Sequence, residues 1–159
     1  MEFTIYLSIA FLALYLIGLV VWRFFFLRDK RRMRDESRLG ARVIAKVDEL
    51  EAGAVKKFWI ICRQYRIDGL LINDHGTFHA YVNRCRHMTT PLDFIRDQFM
   101  SEDGHHLMCY THGALYEPAS GLCVAGPCKG ESLYRLPLLI DRGEVLVGCP
   151  EGDLSHLKD

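Results

Sequence analysis

The chain has no surplus of charge: its 20 Lys and Arg are matched by 20 Asp and Glu over 159 residues. A protein that grips nucleic acid by neutralising phosphates needs a basic excess, so nucleic acid is not an expected partner. There is no glycine-rich phosphate loop and no dinucleotide fingerprint, the usual marks of nucleotide-dependent enzymes. No internal repeat or low-complexity tract is visible either. Residues 55–150 suffice for one small core, and the remainder leaves no room for a second, independent catalytic domain.

Charge is missing most completely from residues 3–22, twenty residues in succession. At 1.5 Å per residue a helix of that length covers the roughly 30 Å hydrocarbon core of a bilayer, so residues 1–27 are expected to form a transmembrane anchor with membrane lipid as its partner. A cleaved signal would carry a basic leader, whereas the only side-chain charge before the run is Glu2. Arg23 is placed to snorkel, with Trp22, Phe24, Phe25 and Phe26 near the headgroups. Between Arg23 and Arg38 seven basic residues face three acidic ones, which predicts a single-pass protein with its C-terminal domain on the cytoplasmic side. Residues 28–54 are charged and have apolar positions at Leu39, Val43, Val47 and Leu50, the spacing of a basic, helical linker ending near Gly53.

Two cysteine-histidine pairs carry the chemistry: Cys85-Arg86-His87 and Cys109-Tyr110-Thr111-His112. Two thiolates and two imidazoles in two short loops form the donor set of a [2Fe-2S] cluster in which one iron takes both sulfurs and the other both nitrogens. Each loop then delivers one ligand to each iron. A tetrahedral zinc accepts the same four donors, although the better-known zinc patterns keep the cysteines together and the histidines together. His105 and His106 stand out of register with the second pair and are expected on the surface or in a strand. His75, His79 and His156 are given no role. For a cytoplasmic domain the remaining cysteines, Cys62, Cys123, Cys128 and Cys149, are expected to be reduced and mostly packed. Cys123 and Cys128 are close enough in sequence to pair in an oxidising compartment.

Strand-like runs of β-branched and aromatic residues lie at Val55–Cys62, 69–73 and Thr77–Val82, with Asn73-Asp74-His75-Gly76 as turn chemistry between the last two. Further strands are expected at 114–117, 132–139 and 144–148. The 21 residues between His87 and Cys109 leave room for an extra turn or short helix at 92–100. Residues 151–159 read as a polar tail.

Cys85-x-His87, Cys109-x-x-His112-Gly113, Tyr116, Gly121 and Gly126-Pro127 together resemble the Rieske iron-sulfur proteins, specifically the ferredoxin and oxygenase-like branch. The resemblance covers roughly residues 55–147. It implies an all-β fold, an antiparallel β-sandwich with a small cluster-binding subdomain, here expected behind a transmembrane helix and linker. It also implies Cys85, His87, Cys109 and His112 as ligands of a Rieske [2Fe-2S] cluster, with Tyr116 as a hydroxyl donor beside it and Gly126-Pro127 in a shielding loop. The high-potential branch found in cytochrome bc complexes braces its ligand loops with a disulfide, and the matching positions here are Thr90 and Thr111. That branch also places a serine where this chain has Ala114. Hydroxyl donors to sulfur stabilise the reduced cluster, so the loss of one implies a potential in the lower or middle part of the roughly −150 to +300 mV Rieske range.

The expected function is a membrane-anchored relay of single electrons to or from a membrane oxidoreductase, or a subunit of a membrane complex. The Rieske subunit of a quinol-oxidising bc-type complex and a redox-sensing or zinc-stabilised module are the alternatives.

Overall fold

From residue 55 the side chains alternate between the core and water. In β2, Val55–Cys62, Phe58, Ile60 and Cys62 are buried while Lys57, Trp59 and Ile61 face outward, the period-two pattern of a strand with one wet face. The computed structural model describes residues 15–24, 27, 41–94, 98–152 and 154. Their strands form three antiparallel three-stranded sheets. β1 (Arg42–Lys46), β9 (Glu144–Val147) and β8 (Leu138–Asp141) make the first, in that spatial order. β2, β3 (Tyr65–Asp74) and β4 (Thr77–Val82) make the second, and β5 (Leu107–Cys109), β6 (Ala114–Tyr116) and β7 (Cys123–Ala125) the third.

β3 joins two cores. Ile67 and Leu71 point into one, built with Ala45, Phe58, Ile60, Val82, Val145 and Val147 from the first two sheets and Leu136 from the segment before β8. Leu70 and Ile72 point into the other, with Tyr81, Leu92, Phe99, Leu107, Tyr116 and Leu133. A strand covered on both faces reads as an unbroken apolar run, which is why residues 70–72 show no alternation. The β3–β4 turn is as expected: Asp74 pairs Thr77, His75 and Gly76 both take positive φ, and the Asn73 side-chain oxygen accepts from the Gly76 N–H at 2.7 Å.

The all-β antiparallel architecture fits expectation, but its N-terminal preface does not. No helix among the described residues is long and apolar enough to cross a membrane. Residues 15–24 are helical, and ten residues rise about 15 Å, half a bilayer core. The remainder of the expected anchor, except residue 27, and residues 28–40 of the expected linker lie outside the described residues. Where the linker is described it is not an extended helix: residues 42–46 are β1, followed by a single 3-10 turn at Val47–Glu49. Val43 and Ile44 are β-branched, and pairing of Val43 with Leu146 and Ala45 with Val145 overrides the helical spacing.

Smaller points follow. The strand expected at 132–139 begins only at Leu138, because residues 133–136 bond individually to Gly121, Val82 and Ala80. At 92–100, where an extra turn or short helix was expected, residues 92–94 form a turn and bend, and residues 95–97 lie outside the described residues. Leu154, in the supposedly polar tail, is 2% exposed and packs in the first core; His156 is not among the described residues.

Candidate metal centre

The first ligand-bearing loop leaves β4 and the second joins β5 to β6, so both issue from the second core. Behind the first, the Asn83 side-chain oxygen accepts from the Leu92 N–H at 2.9 Å while its amide donates to Asp93 at 2.6 Å. Lys57 reaches across from β2 to pair with the same carboxylate, itself 2% exposed. The Leu92 carbonyl then accepts from the Tyr110 N–H at 3.1 Å, tying the first loop to the second. A carboxylate this buried requires such partners. Nothing in the cysteine-histidine spacing signals this brace, and sequence reasoning missed it.

The loops bring Cys85 to Cys109 and His87 to His112 and divide the four by exposure. Cys85 is 4% exposed and Cys109 fully buried. His87 and His112 are exposed, their rings edge to face with centroids 5.0 Å apart. Hydrogen bonding from Cys109 holds the Cys85 thiol well below its ordinary range, to about 4, against the opposing effect of burial; Tyr116 and the backbone N–H groups of His87 and Met88 act in the same direction as Cys109. The same contact, with burial, pushes Cys109 up, against the Thr111 N–H.

Tyr116, fully buried, sets its hydroxyl 3.2 Å from the Cys85 sulfur and accepts the Arg86 N–H at 3.1 Å. Burial, followed by its contacts with Cys128 and Cys85, raises its pKa, so it remains a phenol. Thr90 and Thr111 meet with hydroxyl oxygens 3.4 Å apart. A hydrogen bond therefore joins the two loops at those positions.

Gly126 packs on Ala114, and Pro127 shares a cleft with the first ligand loop. A Cβ on Gly126 would lie 2.7 Å from the Ala114 Cα, and its φ of +100° suits glycine. Pro127 lines a cleft of about 470 Å³ together with Arg84, Cys85, Arg86, His87 and Cys128. Arg86 crosses the mouth, donating to Glu131 at 2.9 Å and lying 4.1 Å over the Tyr134 ring. His105 is exposed and His106 half-buried beside Ser101, outside the ligand pairs.

Of the remaining cysteines, Cys62 and Cys149 depart from the expected reduced state, while Cys123 and Cys128 are reduced and packed as expected. Cys62 and Cys149 form a disulfide between the end of β2 and the segment after β9. Cys123 and Cys128 are free, with sulfurs 3.3 Å apart, and Cys128 lies 3.0 Å from the Tyr116 hydroxyl. Burial, followed by the Cys128 contact, pushes Cys123 up to about 12.

A model of the Rieske [2Fe-2S] domain matches residues 41–141, well over half the chain. The chain belongs to the Rieske [2Fe-2S] domain family. Its cofactor is accordingly a [2Fe-2S] cluster of the Rieske type, and the domain is of the electron-transfer kind. The donor set fits this group: two buried sulfurs with N–H and O–H groups aimed at them lie below two outward imidazoles.

The Rieske fold also appears in two solved structures. The ferredoxin of carbazole 1,9a-dioxygenase from Nocardioides aromaticivorans IC177 aligns with a TM-score of 0.54 and 20% identity, over 68% of this chain and 96% of that one. The terminal oxygenase of carbazole 1,9a-dioxygenase from Novosphingobium sp. KA1 aligns with a TM-score of 0.59 and 18% identity, over 71% of this chain but only 30% of the oxygenase. At these identities the likeness is one of fold. A search of curated proteins returns no match.

Proposed function

We propose that this chain is a ferredoxin-like electron relay in which Cys85 and Cys109 hold the inner iron and His87 and His112 the outer one. The observation that carries this reading is the opposite exposure of the two ligand types, buried sulfurs and exposed imidazoles. A bound [2Fe-2S] cluster supplies one reversible electron, and the chain supplies its surroundings. The Tyr116 hydroxyl and the N–H groups of His87 and Met88 address the Cys85 sulfur, and the Thr111 N–H addresses Cys109. These donors favour the more negative, reduced state.

Electrons enter and leave through the exposed edges of His87 and His112. Exposed Met88, Thr89 and Pro127 lie near them in sequence or along the same cleft, offering a partner protein a mixed apolar and polar landing surface. The fold shared with a dioxygenase ferredoxin that spans nearly the same domain supports an oxygenase-type oxidoreductase as that partner. Thr90 and Thr111 in place of a disulfide, together with Ala114 in place of a serine, argue against a quinol-oxidising bc-type subunit. They support a potential in the lower or middle part of the roughly −150 to +300 mV Rieske range.

Iron and sulfide analysis with EPR of the reduced protein tests this. The expected result is two irons and the signal of a histidine-ligated [2Fe-2S] centre, lost in His87→Ala and in His112→Ala. Zinc in place of iron, or a signal that survives both substitutions, overturns the assignment.

A further inference from the structure

The shielding loop carries two thiols that the relay does not use. Cys123 begins β7 and Cys128 follows Gly126-Pro127. Backbone bonds hold the loop shut: Gly130 N–H to the Cys123 carbonyl at 2.9 Å, Cys123 N–H to the Glu131 carbonyl at 2.8 Å, and Glu131 N–H to the Cys128 carbonyl at 3.0 Å. The two sulfurs, 3.3 Å apart, need approach by only about 1.3 Å to reach bonding distance.

One thiol borders the cleft, and one phenol links the pair to Cys85. Cys128, itself only 6% exposed, borders the cleft of about 470 Å³ beside Arg84, Arg86 and Pro127, whereas Cys123, 1% exposed, is not in its lining. The Cys128 sulfur is 3.0 Å from the Tyr116 hydroxyl, and that hydroxyl is 3.2 Å from the Cys85 sulfur. One phenol therefore touches the thiol pair and a cluster ligand at once.

We propose that Cys123 and Cys128 form a reversible dithiol-disulfide couple, a second redox site oxidised by low-molecular-weight disulfides and coupled to the cluster through Tyr116. The coupling, though not the couple itself, rests on the assignment of Cys85 as a ligand. The Cys128 thiolate attacks one sulfur of R–S–S–R, forming a Cys128–S–S–R bond and releasing R–S⁻, which takes up the proton Cys128 gave up. Cys123 then loses its proton and attacks the Cys128 sulfur, forming the Cys123–Cys128 bond and releasing the second R–S⁻, which is protonated in turn. The two protein thiols lose two electrons and two protons, and both end on two molecules of R–SH.

In the dithiol form the single Tyr116 proton has two sulfur neighbours, and the Cys128 S–H points to Cys123. Closing the disulfide draws the Cys128 sulfur toward Cys123 and leaves Cys85 as the remaining sulfur acceptor for the phenol. A hydrogen bond concentrated on the ligand sulfur favours the reduced cluster. The oxidised couple thus raises the cluster midpoint.

The experiment uses the full-length, cluster-loaded protein equilibrated over a series of oxidised-to-reduced glutathione ratios, then alkylated and peptide-mapped, with an EPR-monitored redox titration of each form. Expected are a Cys123–Cys128 cross-link that forms and reverses with the ratio and a higher cluster midpoint in the cross-linked form. That shift disappears in Cys123→Ser and in Tyr116→Phe, and the wild-type measurement stands even where a variant fails to fold. If both thiols remain alkylatable at every ratio while the cluster signal is intact, the couple is overturned. A cross-link with an unmoved midpoint overturns the coupling. Absence of any histidine-ligated signal overturns the ligand assignment and the coupling with it, while the cross-link is read by mapping alone.

Discussion

Tyr116 concentrates more of this site's chemistry than any ligand-loop neighbour, because one buried hydroxyl meets the Cys85 sulfur, the Arg86 N–H and the Cys128 sulfur. Its distance of 3.2 Å from Cys85 makes it a donor whose benefit grows as the cluster gains charge. A differential of about 1 kcal/mol between redox states corresponds to a shift on the order of 40 mV for a one-electron couple. Tyr116→Phe is therefore expected to lower the midpoint by about that amount with the EPR signal retained, and an unchanged midpoint in a redox titration would reduce Tyr116 to a packing residue. Gly126 makes a different demand. Its missing Cβ leaves room for the Ala114 backbone, and its φ is +100°. Gly126→Ala should destabilise the domain by about 1–3 kcal/mol through strain and displacement of backbone, visible as a lower urea midpoint. Full wild-type stability would mean the third loop can retreat freely from Ala114.

At the scale of elements, the ligand loops are held by residues that carry no ligand signature. Asn83, at the foot of the first loop, receives the Leu92 N–H and donates to Asp93, and Lys57 completes the set from β2. Lys57 is 44% exposed on its side chain, so water screens its charge, and loss of the carboxylate is governed mainly by its buried hydrogen bonds. Asp93→Ala should cost about 1–3 kcal/mol and accelerate cluster loss under chelator, followed by bleaching of the visible absorbance; a wild-type rate of loss would show that the loop is held by packing alone. β2 and β4 were legible residue by residue because alternation and the 73–76 turn are local signals. β1 was not, since Leu39, Val43, Val47 and Leu50 satisfy a helical period and only β9, about a hundred residues later, decides otherwise. β5 and β7 are three residues each and exist by virtue of β6 between them. The spacing of the two Cys-His pairs made two neighbouring loops legible, with Cys85 meeting Cys109 and His87 meeting His112, whereas the Cys123–Cys128 approach to Tyr116 depends on a loop returning over Ala114, which no short-range pattern encodes.

Across the domain of residues 39–159, two cores share β3, and the Cys62–Cys149 disulfide belongs to only one of them. It joins the end of β2 to the segment after β9, spanning 87 residues of chain; Cys62 packs in the first core, and Cys149 packs against it. The second core, which carries Cys85, Cys109 and Tyr116, contains neither cysteine. Closing so long a loop in the unfolded chain removes conformational entropy, an effect of about 2–4 kcal/mol for typical bridges. Replacing both cysteines, Cys62→Ser with Cys149→Ser, should therefore lower unfolding free energy by that amount while leaving the EPR signal and the cluster midpoint where they were. Equilibrium urea unfolding of the two forms, paired with a redox titration, reads both quantities on the same samples. A loss of stability accompanied by a moved midpoint would mean that the two cores communicate through β3, with the packing of Ile67 and Leu71 on one face transmitted to Leu70 and Ile72 on the other. Equal stability would mean the bridge restrains little that the β2–β3 and β1–β9 ladders do not already restrain. The expected separation follows from the alternation of β3 itself, since each face presents side chains to one core and the backbone between them is pinned by hydrogen bonds to strands on both sides.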